Sequence, residues 1–153
     1  DREFVWARID LPGDQNLLAV SVHFKASSGS TNETRRNNQA VALLTDQVPP
    51  EGQGVWAPFF GKPAYTMTLA ARLALQSGAA VLPVSCERLA RGRGYFLKIW
   101  PPLAVLDSLP KSDMLPAVTA INQAIESIVL SQPGQYLWAY ARYKQPRQQA
   151  MAA

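Results

Sequence analysis

Residues 63–84 constrain the fold of this chain more than any other stretch. Pro63 brings a fixed φ suited to the first turn of a helix, and Met67, Ala70, Ala71, Leu73 and Ala74 follow at helical spacing. Gly78 stands just past that run, where a helix commonly closes on a left-handed residue that glycine adopts without steric cost. Residues 79–84, Ala-Ala-Val-Leu-Pro-Val, are then almost continuously apolar and too short for a second helix, which is the pattern of a buried strand. A helix that runs straight into a buried strand implies an α/β domain.

The flanking segments add strands and further helix. Residues 4–9 and 17–24 alternate as strands do, with Leu11-Pro12-Gly13-Asp14 as turn chemistry between them, so an antiparallel hairpin is expected. Residues 26–31 read as a loop, and Asn32 or Thr34 could cap a short helix through Arg35, Arg36 and Gln39. Residues 41–44 are a short apolar run that stops at Thr45-Asp46-Gln47, as a buried strand stops above a sheet edge, and Pro49-Pro50-Glu51-Gly52-Gln53-Gly54 is a loop. Residues 55–60 are apolar and aromatic, closed by Gly61. The turn Arg91-Gly92-Arg93-Gly94 joins the strand at 79–84 to another at 95–100, which Pro101-Pro102 ends. Asp113 is placed to cap a helix over 115–130, whose Val118, Ile121, Ala124, Ile125, Ile128 and Val129 share one face. Pro133-Gly134 breaks that helix. The expected fold is α/β, a mixed sheet flanked by helices, with the first hairpin added at an edge or loosely attached.

One core is expected from 153 residues that are 48% hydrophobic and 17% charged, a globular composition. No run reaches the roughly eighteen consecutive apolar residues of a membrane span, since even residues 67–82 are broken by Arg72, Gln76 and Ser77. The start, Asp-Arg-Glu-Phe, has neither an apolar leader nor an initiator Met and reads as a beginning inside a longer protein. Cys86 is the only cysteine, which excludes an internal disulfide or a multi-cysteine metal site and suits a reducing compartment. Residues 1–40 carry five acids and five bases, whereas residues 41–153 carry six acids and ten bases, so the net charge of +4 lies wholly in the second part. Its bases gather at Arg88, Arg91, Arg93 and Lys98 and again at Arg142, Lys144 and Arg147, the kind of cluster that draws anionic surfaces.

Several motifs in order carry a family resemblance. They are Ala-Leu-Leu-Thr-Asp-Gln-Val-Pro-Pro at 42–50, Gly-Val-Trp-Ala-Pro-Phe-Phe-Gly at 54–61, Tyr-Thr-Met-Thr-Leu-Ala at 65–70, Gly-Ala-Ala-Val-Leu-Pro-Val at 78–84 and Gln-Tyr-Leu-Trp-Ala-Tyr-Ala-Arg-Tyr-Lys at 135–144. Together they resemble the lipid A biosynthesis lauroyl/myristoyl acyltransferase family over about three-quarters of the chain, residues 41–153. The resemblance implies transfer of a fatty acyl chain from an acyl carrier protein thioester to a hydroxyl of a Kdo-bearing lipid A precursor, at the cytoplasmic face of the bacterial inner membrane. It implies no cofactor, no metal and no nucleic acid partner.

Such an enzyme uses a His and, after four intervening residues, an acid, upstream of every motif matched here. An alcohol is a weak nucleophile near neutral pH, so an imidazole must take its proton while a carboxylate orients the ring. The chain's single histidine is His23, and Ser28 stands where the acid would be. No catalytic residue is therefore assigned, and the chain is expected to be inactive alone.

Residues 1–40 resemble something different. Trp6-Ala7-Arg8-Ile9-Asp10, residues 19–30 around His23, and Arg35-Arg36-Asn37-Asn38-Gln39-Ala40 are similar to an interior piece of the endonuclease/exonuclease/phosphatase superfamily. After Ala40 the chain enters the acyltransferase-like Val-Ala-Leu-Leu rather than continuing toward that superfamily's Gly-Asp-x-Asn, so a junction of two unrelated pieces near Ala40 is expected. Two other functions stay open at this point: a remnant of a metal-dependent phosphoesterase, and a noncatalytic lipid or protein interaction module.

Within the acyltransferase-like part, Asp46 and Gln47 are expected to line a substrate pocket because ligand crevices form at strand ends, though capping of turn amides also explains them. Glu51 and Gly54 would let the loop approach a ligand, or simply form a turn. Pro58, Phe59, Phe60 and Gly61 suit the wall of an acyl groove, with core packing as the rival. Pro83 would shape the strand near the site. Arg91, Arg93, Trp138, Arg142 and Lys144 combine cations and aromatics as a membrane or lipid surface does, with a plain docking helix as the alternative for the C-terminal group.

Overall fold

The structure is a computed structural model that describes residues 18–23 and 40–148. The expected strand at 4–9 with its turn, the loop at 26–31, the helix beginning at Asn32 or Thr34, and the end of the Gln-rich tail lie outside those residues.

Leu18–His23 forms strand β1 and Ala40–Leu43 forms β2. Gly54–Phe59 (β3) and Lys62–Met67 (β4) form a two-stranded hairpin, with Phe59 opposite Lys62 and Gly54 opposite Met67. Its two-residue turn is Phe60-Gly61, with φ of 48° and 72°, the left-handed pair that matches the twist of paired strands. Pro63 therefore does not open a helix: it lies in β4 opposite Pro58. One step from the closing pair Phe59–Lys62, these prolines occupy a pair that makes no cross-strand bond, so two missing N–H groups cost the ladder nothing.

Helix α1, Leu69–Ser77, begins at Thr68 and ends as expected at Gly78, whose φ is 68° and whose N–H donates to the Ala74 carbonyl at 2.8 Å. Its buried face is Ala70, Ala71, Ala74 and Leu75, small enough for close packing. Ala80–Arg88 is β5, and Tyr95–Ile99 is β6, joined by the expected turn and paired antiparallel from Val84–Ile99 to Arg88–Tyr95. Met114–Ser131 is helix α2, capped by Asp113, whose carboxylate accepts from the Leu115 N–H at 2.9 Å. Its length and hydropathy would suit a membrane span, but seven of its residues are buried within the fold, among them Val118, Ile121, Ile125, Ile128 and Val129. Burying each such side chain contributes about 1.5–3 kcal/mol.

Among the described residues the sheet is not mixed. Four strands run in the order β2-β1-β5-β6, every neighbour antiparallel. β2 and β5 do point the same way, but β1 lies between them, so β1 is internal rather than an added edge. β2 takes the edge instead, which leaves Val41 and Leu43 half-buried and Ala42 exposed where a fully buried strand was expected. The core fills the space between one sheet face, the β3–β4 hairpin and the two helices, with Phe59, Ala64, Ala71, Val81, Val118, Ile121 and Ile125 among its members.

Candidate functional site

The Thr45-Asp46-Gln47 turn leaves β2 and enters a loop that is tied down on both sides. The Val48 N–H donates to the Tyr140 hydroxyl at 2.8 Å and the Glu51 N–H to the Arg147 carbonyl at 3.0 Å, which fasten the loop to the C-terminal segment. On the other side the N–H groups of Gly52 and Gly54 donate to the Tyr65 hydroxyl at 3.0 and 3.1 Å. Gly54 is needed for that closeness, since a Cβ there would stand 2.7 Å from the Thr66 carbonyl and 2.9 Å from the Tyr65 ring. Its role is therefore the approach of two pieces of backbone, not freedom to meet a ligand.

Arg142 organises the surroundings of Asp46. Only 3% exposed, it donates from Nη1 to the Tyr65 carbonyl at 2.9 Å and from Nη2 to Thr66 Oγ1 at 2.6 Å, with its guanidinium 5.1 Å from the centre of the Phe59 ring. Thr66 Oγ1 also accepts from Asn122 Nδ2 at 3.2 Å and donates to the Ala64 carbonyl, while Asn122 Nδ2 reaches the Pro58 carbonyl at 2.9 Å. One polar network thus joins the C-terminal segment, the β3–β4 hairpin and α2. Arg142 was expected on a membrane or lipid surface, but it is buried, because its guanidinium finds partners in the Tyr65 carbonyl and the Thr66 hydroxyl of the hairpin.

Burial pushes the Asp46 carboxyl above its ordinary value, and its own backbone hydrogen bond, the Arg142 charge and Tyr136 only partly offset that. Burial also raises the Tyr136 phenol, followed by the repulsion of the Asp46 charge. Asp46, Tyr136 and Arg142 are thus one electrostatic unit. Four buried polar atoms around it, Thr45 Oγ1, Asn122 Oδ1, Tyr136 Oη and Arg142 Nε, have no well-formed hydrogen bond. Such a group of open valences marks polar space beneath a surface.

Tyr136 and Arg142 also border a hollow of ≈ 280 Å³, lined with them by Phe59, Trp138, Tyr140, Ala141, Tyr143 and Lys144. Its aromatics touch one another: Tyr136 and Trp138 have ring centres 5.0 Å apart, Phe60 and Trp138 6.0 Å, and Phe59 and Tyr143 6.4 Å. The Tyr143 hydroxyl donates to the Phe59 carbonyl at 2.9 Å, the Trp138 indole to the Pro133 carbonyl at 2.8 Å, and Lys144 lies over the Tyr140 ring at 4.8 Å. The C-terminal segment is a single 3-10 turn, Pro133–Gln135, followed by successive turns, so the docking helix considered from the sequence does not form. Its aromatics border one concave surface because successive turns, unlike a helix, can bring Tyr136, Trp138, Tyr140 and Tyr143 to the same side. A smaller hollow of ≈ 70 Å³ lies between β5, β6 and the end of α2, and Tyr136 borders both.

The residues singled out in the sequence are only partly brought together. Asp46 and Phe59 join the cluster, and Phe60 adjoins it through Phe59 and Trp138. Gln47 and Glu51 are exposed on the loop, Pro58 and Gly61 are exposed on the hairpin, and Pro83 is buried in mid-sheet opposite Val20. Trp138 and Lys144 are exposed at the hollow, while Arg91 and Arg93 are exposed on the β5–β6 turn. Sequence reasoning missed Tyr65, Thr66 and Asn122. Asn122 alone left a signal, a polar residue within the apolar face of α2. Burial raises the Cys86 thiol, which keeps it a weak nucleophile.

Comparison with known proteins fits this arrangement. The family model described as bacterial lipid A biosynthesis acyltransferase matches residues 22–145. The lipid A biosynthesis lauroyltransferase of Escherichia coli (strain K12) is 33% identical over 91 residues, 59% of this chain and 29% of that protein. The lipid A biosynthesis palmitoleoyltransferase of the same strain is 33% identical over 110 residues, 71% of this chain and 35% of that protein. A phosphatidylinositol mannoside acyltransferase of Mycobacterium tuberculosis (strain ATCC 25618 / H37Rv) is 37% identical over 71 residues, 46% of this chain and 22% of that protein. The chain thus spans about a third or less of the length of these relatives. With the motifs of 42–61 and 135–144 falling inside the matched span and meeting in one network, the chain belongs to the bacterial lipid A biosynthesis acyltransferase family.

Proposed function

We propose that this chain forms the acceptor-binding part of an acyltransferase that passes a fatty acyl group from an acyl carrier protein thioester to a hydroxyl of a lipid A precursor, at the cytoplasmic face of the bacterial inner membrane. The observation that carries this is the hollow lined by Phe59, Tyr136 and Arg142, the last two coupled electrostatically to Asp46, which is built from family motifs far apart in sequence. Aromatic faces such as Trp138 and Tyr143 suit sugar rings and alkyl chains, and Lys144 suits an anionic substituent. The relatives' names share an acyl group and differ in the chain transferred and in the acceptor, lipid A in one case and a phosphatidylinositol mannoside in another.

In the transfer the acceptor oxygen forms a bond to the thioester carbonyl carbon, the carbon–sulfur bond breaks, and the acceptor's proton passes to a base and on to the departing thiol. Asp46 is engaged in balancing Arg142 and is not assigned that task. With His23 the sole histidine and Ser28 in the acid's position, the chain binds acceptor without turning it over. The first forty residues are proposed to be a piece of the endonuclease/exonuclease/phosphatase superfamily joined near Ala40; one unbroken genomic reading frame across Ala40, read by long-read sequencing, would remove assembly error as the cause.

Equilibrium binding of a detergent-dispersed lipid A precursor to the purified chain tests the site. Binding should be measurable and weakened by Lys144→Ala with Trp138→Ala; unchanged binding would place the acceptor elsewhere. Incubation with acyl carrier thioester should give no acylated product, and robust turnover would overturn the assignment of a purely binding role.

A further inference from the structure

The sheet has a second face that the acceptor site does not use. On β6, Phe96 and Lys98 point toward α2, where they border the small hollow with Ile128 and Val129. Successive strand residues alternate, so Tyr95, Leu97 and Ile99 point to the opposite side, where they are 49%, 44% and 51% exposed. Tyr95, Leu97 and Ile99 are three of the twelve exposed large hydrophobic residues among the described residues, and all lie on this one face of β6. Soluble proteins blunt such edges with charge or cover them, because exposed apolar strands associate.

The charge carried by the hairpin tip and β6 themselves is of one sign. Residues 88–106 contain Arg88, Arg91, Arg93 and Lys98 and no acid. Arg91 and Arg93 are exposed at the tip of the β5–β6 hairpin, immediately before Tyr95. Cations at the tip thus adjoin a strand face that carries an aromatic and two aliphatic side chains, the pairing of groups met where lipid phosphates border alkyl chains, with that face lying along the bilayer surface. We propose that the β5–β6 hairpin docks this chain on an anionic phospholipid bilayer, with Arg91 and Arg93 on phosphates and Tyr95, Leu97 and Ile99 entering the interface. The docking rests on the function proposed above only in that a lipid acceptor must be met at a bilayer; it does not depend on where the acceptor binds.

Co-sedimentation of the purified chain with vesicles of phosphatidylcholine, with and without phosphatidylglycerol, tests it, since neither vesicle holds a glycolipid or a thioester. Association should require phosphatidylglycerol and weaken as salt rises. Each cation removed should cost about fivefold, so Arg91→Gln with Arg93→Gln should lose on the order of twenty-fivefold. Leu97→Ser with Ile99→Ser, both exposed and so expected to leave folding intact by circular dichroism, should abolish the association. In a Cys86→Ser background, a polarity-sensitive dye on Leu97→Cys should shift to the blue on anionic vesicles. Equal binding to both vesicles, or retention by the Arg91/Arg93 variant, would overturn the proposal. So would a chain that ignores vesicles and forms a dimer dispersed by the Leu97/Ile99 variant, or that binds only an acidic carrier protein. A failure here leaves acceptor binding untouched, and loss of acceptor binding with vesicle docking intact would instead refute the site above.

Discussion

Replacing Arg142 with alanine should destabilise the protein more than removing any exposed cation. The side chain is 3% exposed, makes two hydrogen bonds to the β3–β4 hairpin, and balances Asp46. Thr66 Oγ1 keeps its bonds to Asn122 and Ala64 when Arg142 is lost, but the Tyr65 carbonyl and the Asp46 charge lose a partner inside the fold. Hydrogen bonds made by a buried charged group contribute about 1.5–3 kcal/mol each, so losing the two to Tyr65 and Thr66 costs about 3–5 kcal/mol in all. A domain of this size holds about 5–15 kcal/mol in total and shifts its melting point by about 2–4 °C for each kcal/mol, so Arg142→Ala should melt about 6–20 °C lower. Arg142→Lys keeps the charge but not the fork that reaches both acceptors, and should cost about half as much. Urea and thermal unfolding followed by circular dichroism would measure both, with exposed Arg72→Ala as a control expected within about 0.5 kcal/mol of the parent. An Arg142→Ala variant as stable as that control would show that the C-terminal segment does not hold the hairpin in place.

Asp46 should leave a signature in pH. Its folded carboxyl is raised above 3.8, so folding favours the protonated form: the stabilisation is complete at pH below the unfolded value and is lost as pH rises through the folded one. Urea midpoints across the acid range should therefore show Asp46→Asn lacking this downward limb, and parallel curves for the two proteins would contradict the burial of Asp46. Gly54→Ala should cost about 1–3 kcal/mol through its contact with the Thr66 carbonyl, whereas Gly134→Ala, with nothing within 4 Å, should be neutral in the same unfolding assay. Asn122→Ala should cost about 1–3 kcal/mol because it leaves the Pro58 carbonyl unpaired, and amide exchange on β3 should speed up with it.

Where structure is set by neighbours in sequence, it could be read directly. Gly78 ends α1 because a left-handed residue is needed there, Asp113 caps α2 through its own second-next amide, and the Arg91–Gly94 turn returns β5 into β6. The apolar stripe from Val118 to Val129 announced the face that α2 buries, since spacing along a helix alone decides which side chains share a side. Family motifs, being strings, were equally legible, and the match over residues 22–145 agrees with them.

What depends on distant partners could not be read in advance. Pro63 has a φ compatible with either a helix start or a strand, and the choice fell to strand only because Phe60-Gly61 turned the chain and set it opposite Pro58. Arg142 carries the same charge as Arg91 and looked equally suited to a surface, yet one is buried against Tyr65 and Thr66 and the other is exposed on a hairpin tip. Burial of a polar group is favourable only where the remainder of the fold supplies its hydrogen bonds, and those partners lie more than seventy residues away. The sequence by itself thus determined the family, the glycine that closes α1, and the cap and buried face of α2. Only the tertiary structure decided which of its cations are buried and hold the molecule together, as Arg142 is, and which stand exposed, as Arg91 is, because burial depends on partners that the fold brings from far along the chain.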